Sequence, residues 1–282
     1  MGTASPVTCR RSIGRFMQWD GRLPDGLVEA LWRDPDALLG GGSVVSAGKR
    51  CTVARVAWPR ENASDAAKGP SIAPRCGSQQ AQPPGGDRTV VRQNTVFALK
   101  RFNQKGPLHT VIHWFLPTRA WRGWRFGRRL QQEGIATPWP WAYVENRLGP
   151  LRWTSYLLTE YVTGEPLQRW IDRADQIPRS EWELVIRQFG DLWRRMAKLG
   201  VVHGDMKATN FLIDAERRLW VLDLDGMRRP LVSWIWSRAR ARDEMRFLRN
   251  FGNRRDLIDS FRTQIQEKRS AALFGHQAAG AR

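Results

Sequence analysis

Three side chains in the stretch VVHGDMKATNFLIDAERRLWVLDLDGMRR, residues 201–229, have the types and spacing of phosphoryl-transfer chemistry: Asp205, then Asn210, then Asp223. Phosphoryl transfer needs little covalent help, so a protein must supply position and charge. Asp205 suits the carboxylate that accepts the proton of an acceptor hydroxyl. Asn210 and Asp223 suit a Mg²⁺ site, because a hard cation takes oxygen ligands. Lys207, two residues beyond Asp205, is placed to neutralise charge at a transferring phosphate. His203 reads as a brace for the loop through hydrogen bonds rather than as a base.

These residues must be held by a hairpin. Asn210-Phe211-Leu212-Ile213 is an apolar run, Asp214 to Arg218 a polar turn, and Leu219-Trp220-Val221-Leu222 a short buried strand, which brings Asn210 and Asp223 to one edge. The loop is fed by the strongest helical pattern in the chain. Ser180 with Glu183 reads as a capping box, Trp182, Val185, Ile186, Phe189, Leu192, Trp193 and Met196 recur at helical spacing, and Gly200 ends the run. Its tryptophans are core residues.

With the catalytic-type Asp, the Asn and the second Asp in this order, the chain resembles the protein-kinase-like fold. It departs from protein kinases at His203-Gly204-Asp205, where an Arg usually replaces the Gly, and at Asp223-Leu224-Asp225, where the last residue is usually Gly. These departures, with the GI-TP-P run of residues 134–140 and the following Ala142-Tyr143-Val144-Glu145, are similar to the Kdo/WaaP lipopolysaccharide kinase family. The resemblance implies an α+β, two-lobed kinase-like fold with a small antiparallel β N-lobe and a compact helical C-lobe. It also implies use of ATP and Mg²⁺. A loop without the usual Arg lacks a receiver for an activation-loop phosphate, and fewer than sixty residues follow Asp223 with no A-P-E, which disfavours a peptide acceptor.

The upstream half fits this reading in part. In Phe97-Ala98-Leu99-Lys100 alternation puts Ala98 and Lys100 on one face; by resemblance Ala98 lies beneath adenine and Lys100 beside the phosphates. The turn Gly48-Lys49-Arg50, between two β-prone runs, is a candidate phosphate cover, since glycine admits close approach of backbone N–H groups and Lys49 adds charge. By the same resemblance, backbone groups from Glu160 to Val162 are the hinge that would meet adenine. A basic helix over residues 117–130 has Thr118 as N-cap and Gly134 as stop. It lacks the Glu expected opposite Lys100: no acid occurs between Lys100 and Glu133, and Gly123 stands about where it belongs. Either phosphate alone orients Lys100, or a carboxylate such as Asp223 does.

Composition bounds the partners. The chain has 282 residues and a formal charge of +19, so polyanions are attracted: an anionic glycolipid or phosphosugar, an anionic membrane surface contacted peripherally, or nucleic acid, for which no specific motif is present. The Trp-Ile-Trp at residues 234–236, flanked by arginines, suits a lipid headgroup layer or a buried aromatic pair. Three scattered cysteines give neither a disulfide framework nor a zinc site and fit a reducing cytoplasm. Neither a signal peptide nor a run of about 18 apolar residues is evident. The organisation expected is an extension over 1–39 with an irregular start and a short helix from Asp25, an N-lobe over 40–162 with a disordered insertion at 59–88, a C-lobe over 163–270 and a flexible tail over 271–282. The function expected is phosphorylation of a sugar hydroxyl of lipopolysaccharide inner core, Kdo or heptose, at the inner face of the cytoplasmic membrane. The alternatives are a kinase-like small-molecule phosphotransferase and a non-catalytic nucleotide-binding pseudokinase.

Overall fold

The computed structural model describes residues 6–48, 51–59, 95–103, 117–149 and 151–277, with side chains as far as residue 266. The expected insertion, apart from Pro59, and the β-prone run at residues 89–91 lie outside the described residues, as does Lys49.

The architecture is α+β. Seven strands, β1 (Val7–Arg11), β2 (Arg15–Asp20), β3 (Ser43–Ala47), β4 (Cys51–Trp58), β5 (Thr95–Phe102), β6 (Pro140–Leu148) and β7 (Leu151–Glu160), form one sheet in the order β1-β2-β6-β7-β5-β4-β3. All its pairings are antiparallel. A second sheet of three strands, β8 (Glu165–Pro166), β9 (Phe211–Ile213) and β10 (Leu219–Val221), runs β10-β9-β8. The helices are α1 (Asp25–Arg33), α2 (Pro35–Gly41), α3 (Arg119–Gln132), α4 (Leu167–Asp172), α5 (Arg179–Lys198), α6 (Ser233–Arg249) and α7 (Arg255–Gln277).

Three local expectations change. The opening segment read as irregular contains β1 and β2, and β2 pairs with β6, so this part of the chain belongs to the sheet. It was hard to read because every residue of β1 is exposed and its arginines show no apolar alternation, which is how an edge strand avoids further pairing. The capping box at Ser180 does not form: α5 begins one residue earlier, its N-cap is Pro178, and Glu183 instead pairs with Arg179 at 3.3 Å. The last helix also extends to Gln277, into the stretch read as a flexible tail.

The apolar residues divide by location. Met17, Leu27, Leu31, Ala54, Phe97, Leu99, Val144 and Tyr156 pack between the large sheet and helices α1 and α2. Phe102, Ala120, Trp124, Tyr143 and Leu157 fill the other face under α3. The largest cluster gathers α3 to α7 and the small sheet, and every apolar position expected on α5 is buried in it. At its centre Phe189 stacks on Phe247 with ring centroids 3.8 Å apart and meets Phe211 at 5.8 Å and Phe261 at 5.4 Å. Each such ring stabilises by roughly 1.5–3 kcal/mol through burial. Because Phe211 directly follows Asn210, this core fixes where Asn210 stands.

Candidate active site

The hairpin forms as the sequence suggests, with Val221 opposite Phe211 and Leu219 opposite Ile213. Beyond the last ladder pair, Leu222 N–H donates to the Asn210 carbonyl at 2.8 Å, which clamps the two ends together. The buried His203 completes the clamp: its Nε2 lies 2.9 Å from the Leu222 carbonyl, and its Nδ1 accepts from Asp205 N–H at 3.3 Å. Those two bonds together define the neutral Nε2–H tautomer and leave neither ring nitrogen for proton transfer. Asp223 follows in the left-handed region, φ 56° and ψ 55°, a conformation Asp tolerates better than most residues and one that turns its carboxylate out of the strand direction.

Helix α6 holds the loop from below. The Asp243 carboxylate, only 4% exposed as a residue, accepts His203 N–H at 2.8 Å and Gly204 N–H at 3.0 Å. Asn250 Nδ2, two turns along the helix, donates to the Met206 carbonyl at 3.2 Å. Between them Arg246 reaches the Asp205 carboxylate and, at 3.4 Å, the Gly204 carbonyl. The glycine of this loop has a physical reason: at φ +83° a Cβ on Gly204 would sit 2.9 Å from the Gly226 carbonyl, so no arginine fits there.

The Asp205 carboxylate carries a cation on each oxygen, with Lys207 Nζ 2.8 Å from Oδ2 and Arg246 on Oδ1. Partial burial pushes its pKa up, but the bonds and charges of Lys207 and Arg246 outweigh this and hold it below the ordinary carboxylate value. Asn210 Nδ2 donates to the Asp205 carbonyl at 2.8 Å, which leaves the Asn210 side-chain oxygen to face outward as an acceptor.

The second charged group is built across the chain. Lys100 on β5 pairs with Asp223 and stands 3.7 Å from Asp225, while Arg119, the first residue of α3, lies 2.6 Å from Asp225 Oδ2. Burial alone would lower the Lys100 pKa; Asp225 and Asp223 together hold it above the ordinary value. Between the coupled acids, burial and the neighbouring Asp223 raise Asp225, whereas the charge and hydrogen bond of Lys100 overcome burial and lower Asp223. Of the two options left open for Lys100, the carboxylate one is present, and it is doubled by Asp225. The helix contributes a cation to this cluster instead of an acid. A side chain at Gly123 would displace Leu157: a Cβ there would lie 2.7 Å from Leu157 Cδ2, because α3 lies directly on β7.

Asp225, Arg119, Asp243 and Arg246 were not singled out by sequence reasoning. The available signals were an Asp where kinases have Gly, an Arg just inside a helix N-terminus, and an acid in the arginine-rich run of residues 238–249. Asp225 Oδ2 is buried and makes no bond of hydrogen-bond geometry, despite its nearness to Arg119. That oxygen is held by the charges of Arg119 and Lys100, so the oxygen donors that suit a hard divalent cation here are those of Asp223 and Asn210, at the two ends of the hairpin. Among the described residues no group of three His, Cys, Asp or Glu is arranged to hold a metal ion by itself.

The remaining sequence-selected residues lie along the large sheet. Ala98 pairs with Thr159, and Lys100 with Leu157. Glu160 ends β7; its carboxylate accepts Trp139 N–H at 3.2 Å, its own N–H donates to the Trp139 carbonyl at 2.8 Å, and Tyr161 N–H reaches Val96. Val162 follows directly, on the segment leading to β8. Gly48 N–H closes the β3–β4 turn on the Cys51 carbonyl at 2.9 Å, so this amide serves the hairpin itself.

Fold and site together define an α+β protein in which a lysine of a large antiparallel sheet meets paired aspartates of a short hairpin, beside a His-Gly-Asp loop. The chain belongs to the lipopolysaccharide kinase (Kdo/WaaP) family, whose sequence model matches residues 84–271. It is 31% identical over 136 residues to a 3-deoxy-D-manno-octulosonic acid kinase of Stenotrophomonas maltophilia, covering 47% of this chain and 50% of that protein. A protein of the same name from Actinobacillus succinogenes is 29% identical over 111 residues, 38% of this chain and 45% of the relative. A probable serine/threonine-protein kinase of Dictyostelium discoideum shares 29% identity over 69 residues, 24% of this chain and 13% of its own. The chain thus spans about half the length of the lipopolysaccharide-type relatives it matches. No helix among the described residues is long and apolar enough to cross a membrane.

Proposed function

We propose that this protein is an ATP-dependent phosphotransferase of two-lobed, protein-kinase-like organisation, with a first lobe that takes in β1, β2, α1 and α2 and ends near residue 162 and a second over 163–270, acting on a hydroxyl of a Kdo-type sugar in an anionic glycolipid. The observation that carries the reading is the Lys100–Asp223 ion pair, which joins residues 123 positions apart at the edge of the hairpin that also bears Asn210. A buried lysine against that carboxylate has little structural value of its own, because desolvation offsets much of the attraction. It gains a purpose if Lys100 exchanges Asp223 for phosphate oxygens.

In this reading ATP supplies the phosphoryl group and Mg²⁺ neutralises its charge. Lys100 orients the phosphates, Asn210 and Asp223 hold the metal, Ala98 lies under adenine, and backbone groups from Glu160 to Val162 border the ring. Asp205 takes the hydroxyl proton as the new oxygen–phosphorus bond forms and the bond to the leaving phosphate breaks, and Lys207 turns from Asp205 to the transferring group. The acceptor follows from the names of the relatives and agrees with the positive charge of the chain. Such a substrate sits in an anionic membrane, so peripheral contact with its inner face belongs to the same proposal.

The test is incubation of purified protein with labelled ATP, Mg²⁺ and Kdo-lipid A beside an Asp205→Asn variant. Label is expected on the glycolipid, and the variant is expected to be slower by about 10²–10⁴-fold. ATP binding without transfer by the wild type would instead identify a pseudokinase.

A further inference from the structure

Arg246 has no part in the nucleotide chemistry laid out above, yet it occupies the carboxylate assigned as base. Its backbone position is fixed, because Asp243, one turn before it in α6, and Asn250, the C-cap of that helix, both bond the catalytic loop. Its guanidinium is not: the side chain is 51% exposed, against 28% for Asp205. Lys207 holds the other oxygen at 2.8 Å and is 56% exposed. A third cation adjoins the loop, since a Cβ on Gly204 would lie 3.5 Å from Arg228 Nη1. The Asp205 carboxylate therefore has two cations as partners, both more than half exposed, while Arg228 stands beside Gly204.

This arrangement has two chemical consequences. An acceptor hydroxyl cannot approach Oδ1 along the direction that Arg246 fills. The excess positive charge, meanwhile, calls for a second anion. An exposed ion pair of this kind is worth only about 0–1 kcal/mol, so exchange of partners costs little. The planar guanidinium matches a carboxylate with two parallel hydrogen bonds, a fit that a point charge cannot supply.

We infer that Arg246 is a specificity-determining residue that binds the carboxylate of an acidic acceptor sugar and, in turning to it, uncovers the Asp205 oxygen that receives the hydroxyl proton. The inference rests on the reading of Asp205 as base. It makes the acceptor's acid group a requirement for freeing Oδ1, so that neutral sugars meet that oxygen still capped and find only the one released by Lys207.

The test compares two acceptors, Kdo-lipid A and the same glycolipid with its sugar carboxylate converted to a neutral amide. Wild type, Arg246→Ala, Arg246→Gln and Arg246→Lys are assayed for kcat and KM with each, and for KM of ATP. Wild type is expected to prefer the acid, and the ratio of kcat/KM for acid over amide is expected to fall roughly 10- to 100-fold in the Ala and Gln variants, the worth of a charged hydrogen bond. The loss should appear in acceptor KM, with Lys recovering part of it. Equal losses on both acceptors would overturn the inference and leave Arg246 a positioning residue for Asp205, as would a wild type indifferent to the acid group. Absence of transfer to either acceptor would overturn the proposed function together with this inference.

Discussion

Two carboxylate sites lie at the two ends of one clamped loop, and they are neutralised in opposite ways. Asp223 and Asp225 meet Lys100 and Arg119, cations that are only 15% and 33% exposed. Asp205 meets Lys207 and Arg246, both of which are more than half exposed. The same ion-pair chemistry thus yields a preorganised group in one case and an exchangeable one in the other. Burial is what separates them: in low dielectric a missing partner costs several kcal/mol, whereas solvent replaces one readily at the surface.

Replacing Lys100 is the strongest way to break that contrast. Lys100→Ala leaves the buried Asp225 and the partly exposed Asp223 facing each other and is expected to cost about 3 kcal/mol in chemical denaturation, with transfer to acceptor lost as well. Asp205→Asn should instead change stability by no more than about 1 kcal/mol while removing turnover. If Lys100→Ala unfolds at the wild-type denaturant midpoint, the buried cluster is not what holds that edge together.

Asp243 sharpens the comparison, because it supports the exposed site from a buried position. Asp243→Ala removes the acceptor for the His203 and Gly204 amides and is expected to cost about 1.5–3 kcal/mol. Turnover should fall while affinity for ATP at the Lys100 end changes less; a parallel loss of both would mean that the two ends do not act separately.

The gentlest probe is Asp20, a buried carboxylate remote from the loop in sequence. It is fully buried and bonded by Arg22 at 2.9 Å and Arg128 at 3.1 Å. Burial pushes its pKa up, but the bonds from Arg22 and Arg128 prevail and hold it below the ordinary carboxylate value. A depressed folded pKa gives stability that is complete above the unfolded value and is lost as pH falls through the folded one. Wild type should therefore lose stability below about pH 5 more steeply than Asp20→Asn. Identical slopes would show that pairing in this sheet carries no pH-dependent stability.

Much of the site could be read because local order carried it. Asn210 and Asp223 are joined by a short hairpin, so their convergence follows from strand periodicity and a polar turn. The α5 helix announced its buried face through seven apolar positions, all of them in the core. Its capping box failed because Pro178 can begin a helix with no side-chain bond. The β1–β2 pair was illegible, since an edge strand exposed throughout shows no alternation.

The sequence by itself determined the chemistry available here: which acids and cations exist, their spacing in the loop, and the hairpin that aligns them. Only the tertiary structure decided which cation meets which acid. Lys100 finds Asp223 and Asp225 because β5 is central in a sheet that packs beside the hairpin, and Arg246 finds Asp205 because α6 is anchored by Asp243. The sheet and α3 also bear on the absent glutamate, since any side chain at Gly123 would have to displace Leu157. Spacing along a chain sets what neighbours in sequence can do together. Pairing across a hundred residues depends on which surfaces bury one another.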